Sequence, residues 1–179
     1  MRFVAAITCV LLCSSLAAPL NIPLELRGEE DVAKIILAAR DHVFVLAPQL
    51  RSAVIANALR KVAVEGGVRV LILCDTGRLE ERSGYIAALS KLQERKRPLE
   101  VRSLRGINTS TLVVDDTRMV IGPLVSERWT YGLEPTRLLL EPREASRQSK
   151  YFWTQWKRGK PWVFKVSNPT FSPSGRKDK

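Results

Sequence analysis

Two apolar runs, Val43-Phe44-Val45-Leu46-Ala47 and Val68-Arg69-Val70-Leu71-Ile72-Leu73, constrain this chain more than any other feature of its sequence. Five apolar residues in a row leave no side for solvent, which marks a strand buried on both faces. Pro48 closes the first run. Ser52 to Val64 then sets Val54, Ile55, Ala58, Leu59 and Val62 at helical spacing, and Gly66-Gly67 stops that helix just before the second run. Strand, helix and strand joined by short turns make a right-handed crossover, so the two strands are expected to lie parallel.

The remaining segments extend this unit. Glu29 to Arg40 spaces Val32, Ile35, Ile36 and Ala39 as a helix, with acids in the first turn where the dipole favours them. After a polar loop (Asp75 to Ser83) come a helix over Tyr85 to Gln93 and a short strand near Leu99 to Arg102. Thr111 to Val114 and Arg118 to Ile121 read as strands joined by the turn Asp115-Asp116-Thr117. Thr136 to Leu140 is a further strand, and Glu144 to Arg158 a closing helix anchored by Tyr151, Phe152 and Trp156. The pattern predicts one α/β domain, a mixed and mostly parallel sheet flanked by helices, over residues 29–158. A basic tail follows at 159–179, held at first through Trp162 and Phe164 and disordered after Pro173.

Ahead of that domain, residues 1–17 read as a signal peptide and 18–28 as a connector. Met1-Arg2 is the positive end, and Phe3 to Leu12 is an apolar run too short to span a bilayer. Ser15 and Ala17 place small residues before a cleavage point at Ala17-Ala18. A secreted or periplasmic chain with no transmembrane span after cleavage is expected; the alternatives are lipidation at Cys13, for which Leu12 is a poor neighbour, and an uncleaved interfacial anchor. Removing the leader takes Cys9 and Cys13 with it and leaves Cys74 alone, a thiol that closes an apolar run and is expected to be buried and inert.

The 29 Lys+Arg against 18 Asp+Glu give a formal charge of +11, a field that attracts polyanions such as nucleic acid, anionic membrane or cell-wall polymer. Lys91, Arg95, Lys96 and Arg97 suit the end of a helix. Lys157, Arg158 and Lys160 stand among Trp153, Trp156 and Trp162, with Arg176, Lys177 and Lys179 beyond. Cations interleaved with aromatics are what a phosphate-backbone or single-strand binder uses; the alternative is that the tryptophans anchor the core and the cations form a solvated rim.

The order of the elements, and several local phrases, resemble a single half of the phospholipase D superfamily, in particular the small bacterial nucleases that work as homodimers. The resemblance spans Val32 to Lys157. Val43 to Pro48, then Gly66 to Asp75, look like the family's opening strand, helix and strand; Leu112 to Asp116 with Met119 to Gly122 looks like its signature hairpin; Gly132-Leu133-Glu134 sits where the family carries NxE. The family motif HxKxxxxD, followed by GSxN, implies a histidine that attacks phosphorus, a lysine that neutralises the phosphoryl oxygens and an aspartate that supports the motif. Setting Asp115 on the motif aspartate puts Asn108 at the histidine and Ser110 at the lysine, with Pro123 and Val125 at the later Ser and Asn. Only Asp115 and Gly122 match.

An amide has no titratable lone pair near neutrality, so Asn108 can neither attack phosphorus nor shuttle a proton. Ser110 offers a neutral dipole where a full charge is needed. The resemblance thus implies a degenerate phosphodiesterase with no working catalytic residue: Asn108, Ser110 and Asp115 line a remnant cleft, and Lys157, Arg158 and Lys160 meet phosphates. The expected partners are DNA or another polyanion and a second copy of the chain, with no cofactor. Two further readings are an active phosphodiesterase or phospholipase D-type hydrolase, in another register or with a paired protomer supplying the motif, and a purely structural dimerisation domain. The only histidine, His42, precedes a strand and is expected on the surface or in a turn, and a single histidine with a single mature cysteine argues against a metal site. Asp75-Thr76-Gly77 matches an aspartic-protease triplet but ends a parallel strand, the wrong architecture. Asp115-Asp116 reads as a turn in preference to an acid/base pair, and Asn108-Thr109-Ser110 is formally a glycosylation sequon.

Overall fold

The computed structural model describes residues 23–79, 84–93, 98–126, 135–162 and 164. The expected leader, the Gly132-Leu133-Glu134 segment, Arg95 to Arg97 and the tail beyond Phe164 lie outside these residues.

Within them, eight strands and four helices alternate as β1 (Leu24–Leu26), α1 (Glu29–Leu37), β2 (His42–Ala47), α2 (Ala53–Val64), β3 (Arg69–Asp75), α3 (Ile86–Gln93), β4 (Leu99–Leu104), β5 (Thr111–Val114), β6 (Arg118–Ile121), β7 (Thr136–Leu139), α4 (Pro142–Arg158) and β8 (Lys160–Pro161). One sheet holds all the strands in the order β1-β7-β6-β5-β2-β3-β4-β8. The crossover predicted from the two apolar runs is present: β2 and β3 pair in parallel from His42↔Arg69 to Ala47↔Cys74. β4 continues the parallel block beside β3. Every other pairing is antiparallel. The sheet is therefore mixed, as expected, but not mostly parallel: the three-residue turn 115–117 can only reverse the chain between β5 and β6, and β7, β1 and β8 add antiparallel pairs at the two sides.

Strand alternation splits the core in two. Val43, Val45, Val70, Ile72, Val101, Leu112 and Val120 face α1, α2 and α3. Phe44, Leu46, Leu71, Leu73, Val113 and Met119 face α4 alone, which lays Ala145, Phe152 and Trp156 on them. The rings of Phe44 and Phe152 stack at 4.8 Å, and those of Phe152 and Trp156 at 5.4 Å. Trp156 is buried, with the Arg102 guanidinium 4.6 Å over its ring. The tryptophans of α4 thus belong to the packing, not to a free stacking surface.

Local chemistry sets the helix ends. Ser52 caps α2 by accepting the N–H of Ile55 at 3.0 Å and is itself held by Glu29 of α1. Gly67, at φ 67°, makes the left-handed turn after α2 that a side chain would resist. The two sheet edges were illegible in sequence. β1 and β8, three and two residues long, fall outside 29–158 yet both join the sheet. Strands so short carry no periodicity, and they blunt the sheet edges against further pairing.

Candidate functional site

The carboxyl ends of β2, β3 and β4 open onto one end of the sheet, the end at which open α/β sheets gather their ligands. The chain there is held by a carboxylate. Asp75, the last residue of β3, accepts the N–H of Gly77 at 2.7 Å, Gly106 at 2.6 Å and Ile107 at 3.1 Å. Ile107 is buried in the α4-side core, so the loop after β4 is pinned from both sides. Asn108, next along, is exposed. Asp75-Thr76-Gly77, dismissed as a protease motif, is thus a structural staple.

Ser110 enters β5 in a web of neutral hydrogen bonds. Its carbonyl accepts the N–H of Gly122 at 2.9 Å, and its hydroxyl lies 2.7 Å from the hydroxyl of Ser126. Ser126 is buried, donates to the Pro123 carbonyl at 3.3 Å and accepts the N–H of Arg51 on its own carbonyl at 2.9 Å. Either hydroxyl can donate across the Ser110–Ser126 pair. Among the described residues the side-chain partner of Ser110 is another hydroxyl, which is not a base that could activate it. Thr111 accepts from Gln148 Nε2 of α4 at 2.9 Å, which ties the same strand to the helix. Val125 is fully buried, and Leu124 donates its N–H to Thr136 Oγ1 at 3.0 Å. Gly122 is obligatory: its φ is 136°, and a Cβ there would come within 2.6 Å of Thr136 Cα.

Cys74 is also at this end and is inert. Its Sγ is buried and donates to the Arg102 carbonyl at 3.3 Å; burial, aided by the charge of Asp75, pushes the thiol up to about 12.

The other end of β5 is charged. Asp115, at φ 52° in the β5–β6 turn, accepts the N–H groups of Arg40, Asp41 and His42 at 2.9–3.2 Å and meets Arg118 Nη2 at 3.1 Å. Burial raises its carboxyl, but the N–H groups of Asp41, His42 and Arg40 and the charge on Arg118 outweigh that and hold it below its ordinary 3.8. His42, expected outside the strand and on the surface, is the first residue of β2 and is buried. Its Nδ1 lies 2.7 Å from Asp41 Oδ2 and its Nε2 3.1 Å from Asp116 Oδ1, with the ring stacked at 4.3 Å on Phe44. Ser149 of α4 donates to the same Asp116 oxygen. The serine bonds the carboxylate, not the imidazole, so this is a brace between turn and helix and not a nucleophile–base pair.

No family model and no curated protein matches the sequence. Solved structures do match. The chain superimposes on Nuc from Salmonella typhimurium, a phospholipase D family member, with a TM-score of 0.66 and 18% identity over 80% of this chain and 100% of that one. NucT from Helicobacter pylori gives 0.64 and 16%, over 79% and 98%. This chain has the phospholipase D fold. The same fold extends to TrmBL2, an archaeal chromatin protein whose structure shows a novel mode of DNA binding, at a TM-score of 0.58 and 14% identity over 82% of this chain and 57% of that one.

On this phospholipase D fold, the three residues expected to line one cleft do not converge. Asn108 and Ser110 share the open end, whereas Asp115 is five residues further along an extended chain, roughly 17 Å away, and its carboxylate is consumed by backbone. Lys157, Arg158 and Lys160 are exposed, at the end of α4 and in β8. Lys160 pairs with Ser103 on β4, and β8 is four strands from β5, about 19 Å across the sheet. They form a separate surface from Ser110. Ser126, Gln148 and Asp75 were not found as site residues by sequence reasoning. Ser126 meets Ser110 across 16 residues and Gln148 meets Thr111 across 37, so neither carries a local signal. Among the described residues no group of His, Cys, Asp and Glu could hold a metal ion, and no helix is long and apolar enough to cross a membrane.

Proposed function

We propose that this protein is an exported, catalytically inactive domain of the phospholipase D superfamily that binds a phosphate-bearing polyanion such as DNA. The observation that carries the reading is the Ser110–Ser126 hydroxyl pair, 2.7 Å apart, at the position where the family's lysine charge is expected. Phosphoryl transfer through a covalent intermediate needs a nucleophile that can be deprotonated and a positive charge on the transferring group. Here the first place holds exposed Asn108 and the second a hydroxyl satisfied by another hydroxyl. The single histidine offers no substitute: it is buried, braced between two aspartates, and a full strand length from Ser110. A second copy of the chain brings the same deficit.

Binding is supported by the charge. A net +11 on 179 residues survives the loss of chemistry, and Lys157, Arg158 and Lys160 present three cations within four residues of exposed chain. Likeness of fold to TrmBL2 is consistent with a DNA-binding use of this architecture. Export rests on residues 1–17, and sequencing the N-terminus of protein recovered from outside the cytoplasm, expected to begin at Ala18, checks it.

Two assays test the proposal together. Purified protein is expected to leave supercoiled plasmid intact and to hydrolyse bis-p-nitrophenyl phosphate no faster than buffer, with or without chelator. It is expected to bind DNA with an affinity that falls steeply between low and physiological salt. Chelator-resistant turnover well above background overturns the inactive reading, and an affinity indifferent to salt removes the polyanion.

A further inference from the structure

The outer face of α4 is built differently from that of every other described helix. Between Pro142 and Arg158 it carries Arg143, Arg147, Lys150, Lys157 and Arg158 against one acid, Glu144. All five cations are exposed. At 100° per residue, Arg143, Arg147, Lys150, Lys157 and Arg158 fall within about 60° of one line along the helix, with Thr154 filling the gap between the two halves. The buried residues Ala145, Ser149, Phe152 and Trp156 lie on the opposite side. Glu144 is off the line and is already engaged by Arg147. At 1.5 Å per residue the stripe runs about 22 Å, and Lys160 continues it past the helix end. α1, by contrast, opens with Glu29, Glu30 and Asp31, and α2 carries only Arg60 and Lys61 as cations.

We infer that this stripe, and not the degenerate mouth of the sheet, is the nucleic-acid surface, a rigid track that follows the phosphate backbone of a duplex without reading its sequence. The inference rests on the polyanion reading above and gives it a place and a partner. Rigidity comes from the sheet: Phe44, Phe152 and Trp156 fix the helix from below, so the cations are spaced before any ligand arrives. Backbone recognition follows from the same packing. Phe152 and Trp156 are buried and Trp153 stands edge-on to Phe44 with the guanidinium of Arg69 5.9 Å over its ring, which leaves Tyr151 as the one exposed aromatic of α4, where a single-strand site stacks successive bases on several. A membrane surface is a poorer fit, because an interfacial helix inserts its apolar face and that face of α4 is already spent on the core.

The track predicts a salt slope. Five phosphate contacts give d log K/d log[salt] of about −4 to −5 on duplex DNA, at roughly 0.9 per contact. The test uses the whole chain and a fluorescent 20-base-pair duplex of arbitrary sequence, titrated across salt concentrations. The stripe variant is Arg143→Gln/Lys150→Gln/Lys157→Gln/Arg158→Gln. The control variant is Lys34→Gln/Arg60→Gln/Lys61→Gln/Arg78→Gln, which removes the same charge from exposed positions outside α4. The stripe variant is expected to lose at least about tenfold in affinity at low salt and to flatten the slope by about three to four; the control keeps most of both. Each single stripe substitution should lower the slope by about one, which keeps the test open if the quadruple variant melts early. Equal losses in both quadruple variants, or wild-type affinity in the stripe variant, overturn the track and leave the polyanion reading standing. A wild-type chain that binds no nucleic acid sinks both. Binding to vesicles containing phosphatidylserine in the absence of DNA binding assigns the stripe to membrane and overturns the inference.

Discussion

The two ends of β5 hold the same kind of device and differ in everything else. At one end Asp75 gathers the N–H groups of Gly77, Gly106 and Ile107; at the other Asp115 gathers those of Arg40, Asp41 and His42. Each is a carboxylate that fixes a loop by accepting three main-chain donors. At the Ser110 end of β5 the side-chain hydrogen bonds of Ser110 and Thr111 are neutral among the described residues, to the Ser126 hydroxyl and from the Gln148 amide. Around Asp115 they are charged, with Arg118, Asp41, His42 and Asp116 in contact. The Ser110 end lies at the carboxyl ends of β2, β3 and β4, where open α/β sheets gather ligands, and the Asp115 end lies at the opposite side of the sheet. In both places loss of the carboxylate would leave three main-chain donors without their acceptor and cost stability.

Five substitutions break or sharpen that contrast. Gly122→Ala is expected to cost the most, on the order of 3–5 kcal/mol, since it adds strain at φ 136° to a clash with the Thr136 backbone; a denaturant melt reads it. Asp115→Asn should cost about 2 kcal/mol near neutrality by weakening charged hydrogen bonds. Its signature is the pH dependence. A carboxyl held below 3.8 in the folded chain stabilises above that value and stops doing so as pH falls through its folded pKa, so the gap between wild type and variant should close on acidification below about pH 4. A gap that widens in acid contradicts the assignment. Asp75→Ala should cost about 1–3 kcal/mol by leaving the Gly106 and Ile107 N–H groups without their acceptor, and native-state hydrogen exchange should show those two amides opening first. Ser110→Ala and Ser126→Ala should each cost no more than about 1 kcal/mol, with a coupling of about 0.5–1 kcal/mol in a double-mutant cycle and DNA binding unchanged. A large loss of binding from either serine moves the ligand back to the mouth of the sheet.

Much of the fold was legible. Both strands of the 111–121 hairpin begin and end where alternation and the Asp-Asp-Thr turn put them, and the parallel pairing of β2 with β3 follows from two apolar runs and a Gly-Gly stop. Those signals are local, so no tertiary context was needed to read them. What escaped is what depends on distant partners. β1 has no strand pattern of its own and exists because Leu24 and Leu26 find Leu138 and Thr136 on β7. His42 reads as a surface residue from its neighbours, yet it is buried by Phe44 beside it and by Asp116 of the β5–β6 turn, which Ser149 of α4 holds in place.

From residue order alone follow the crossover, the positive charge, and the absence of an imidazole or ammonium at Asn108 and Ser110, because composition and short-range periodicity are properties of the chain before it folds. Which groups share a place was decided only by tertiary structure. Packing set Asp115 a strand length from Ser110, turned the tryptophans of α4 inward and left its cations in one outward line. Those arrangements arise from burying both faces of a single sheet, a constraint that acts between residues dozens of positions apart.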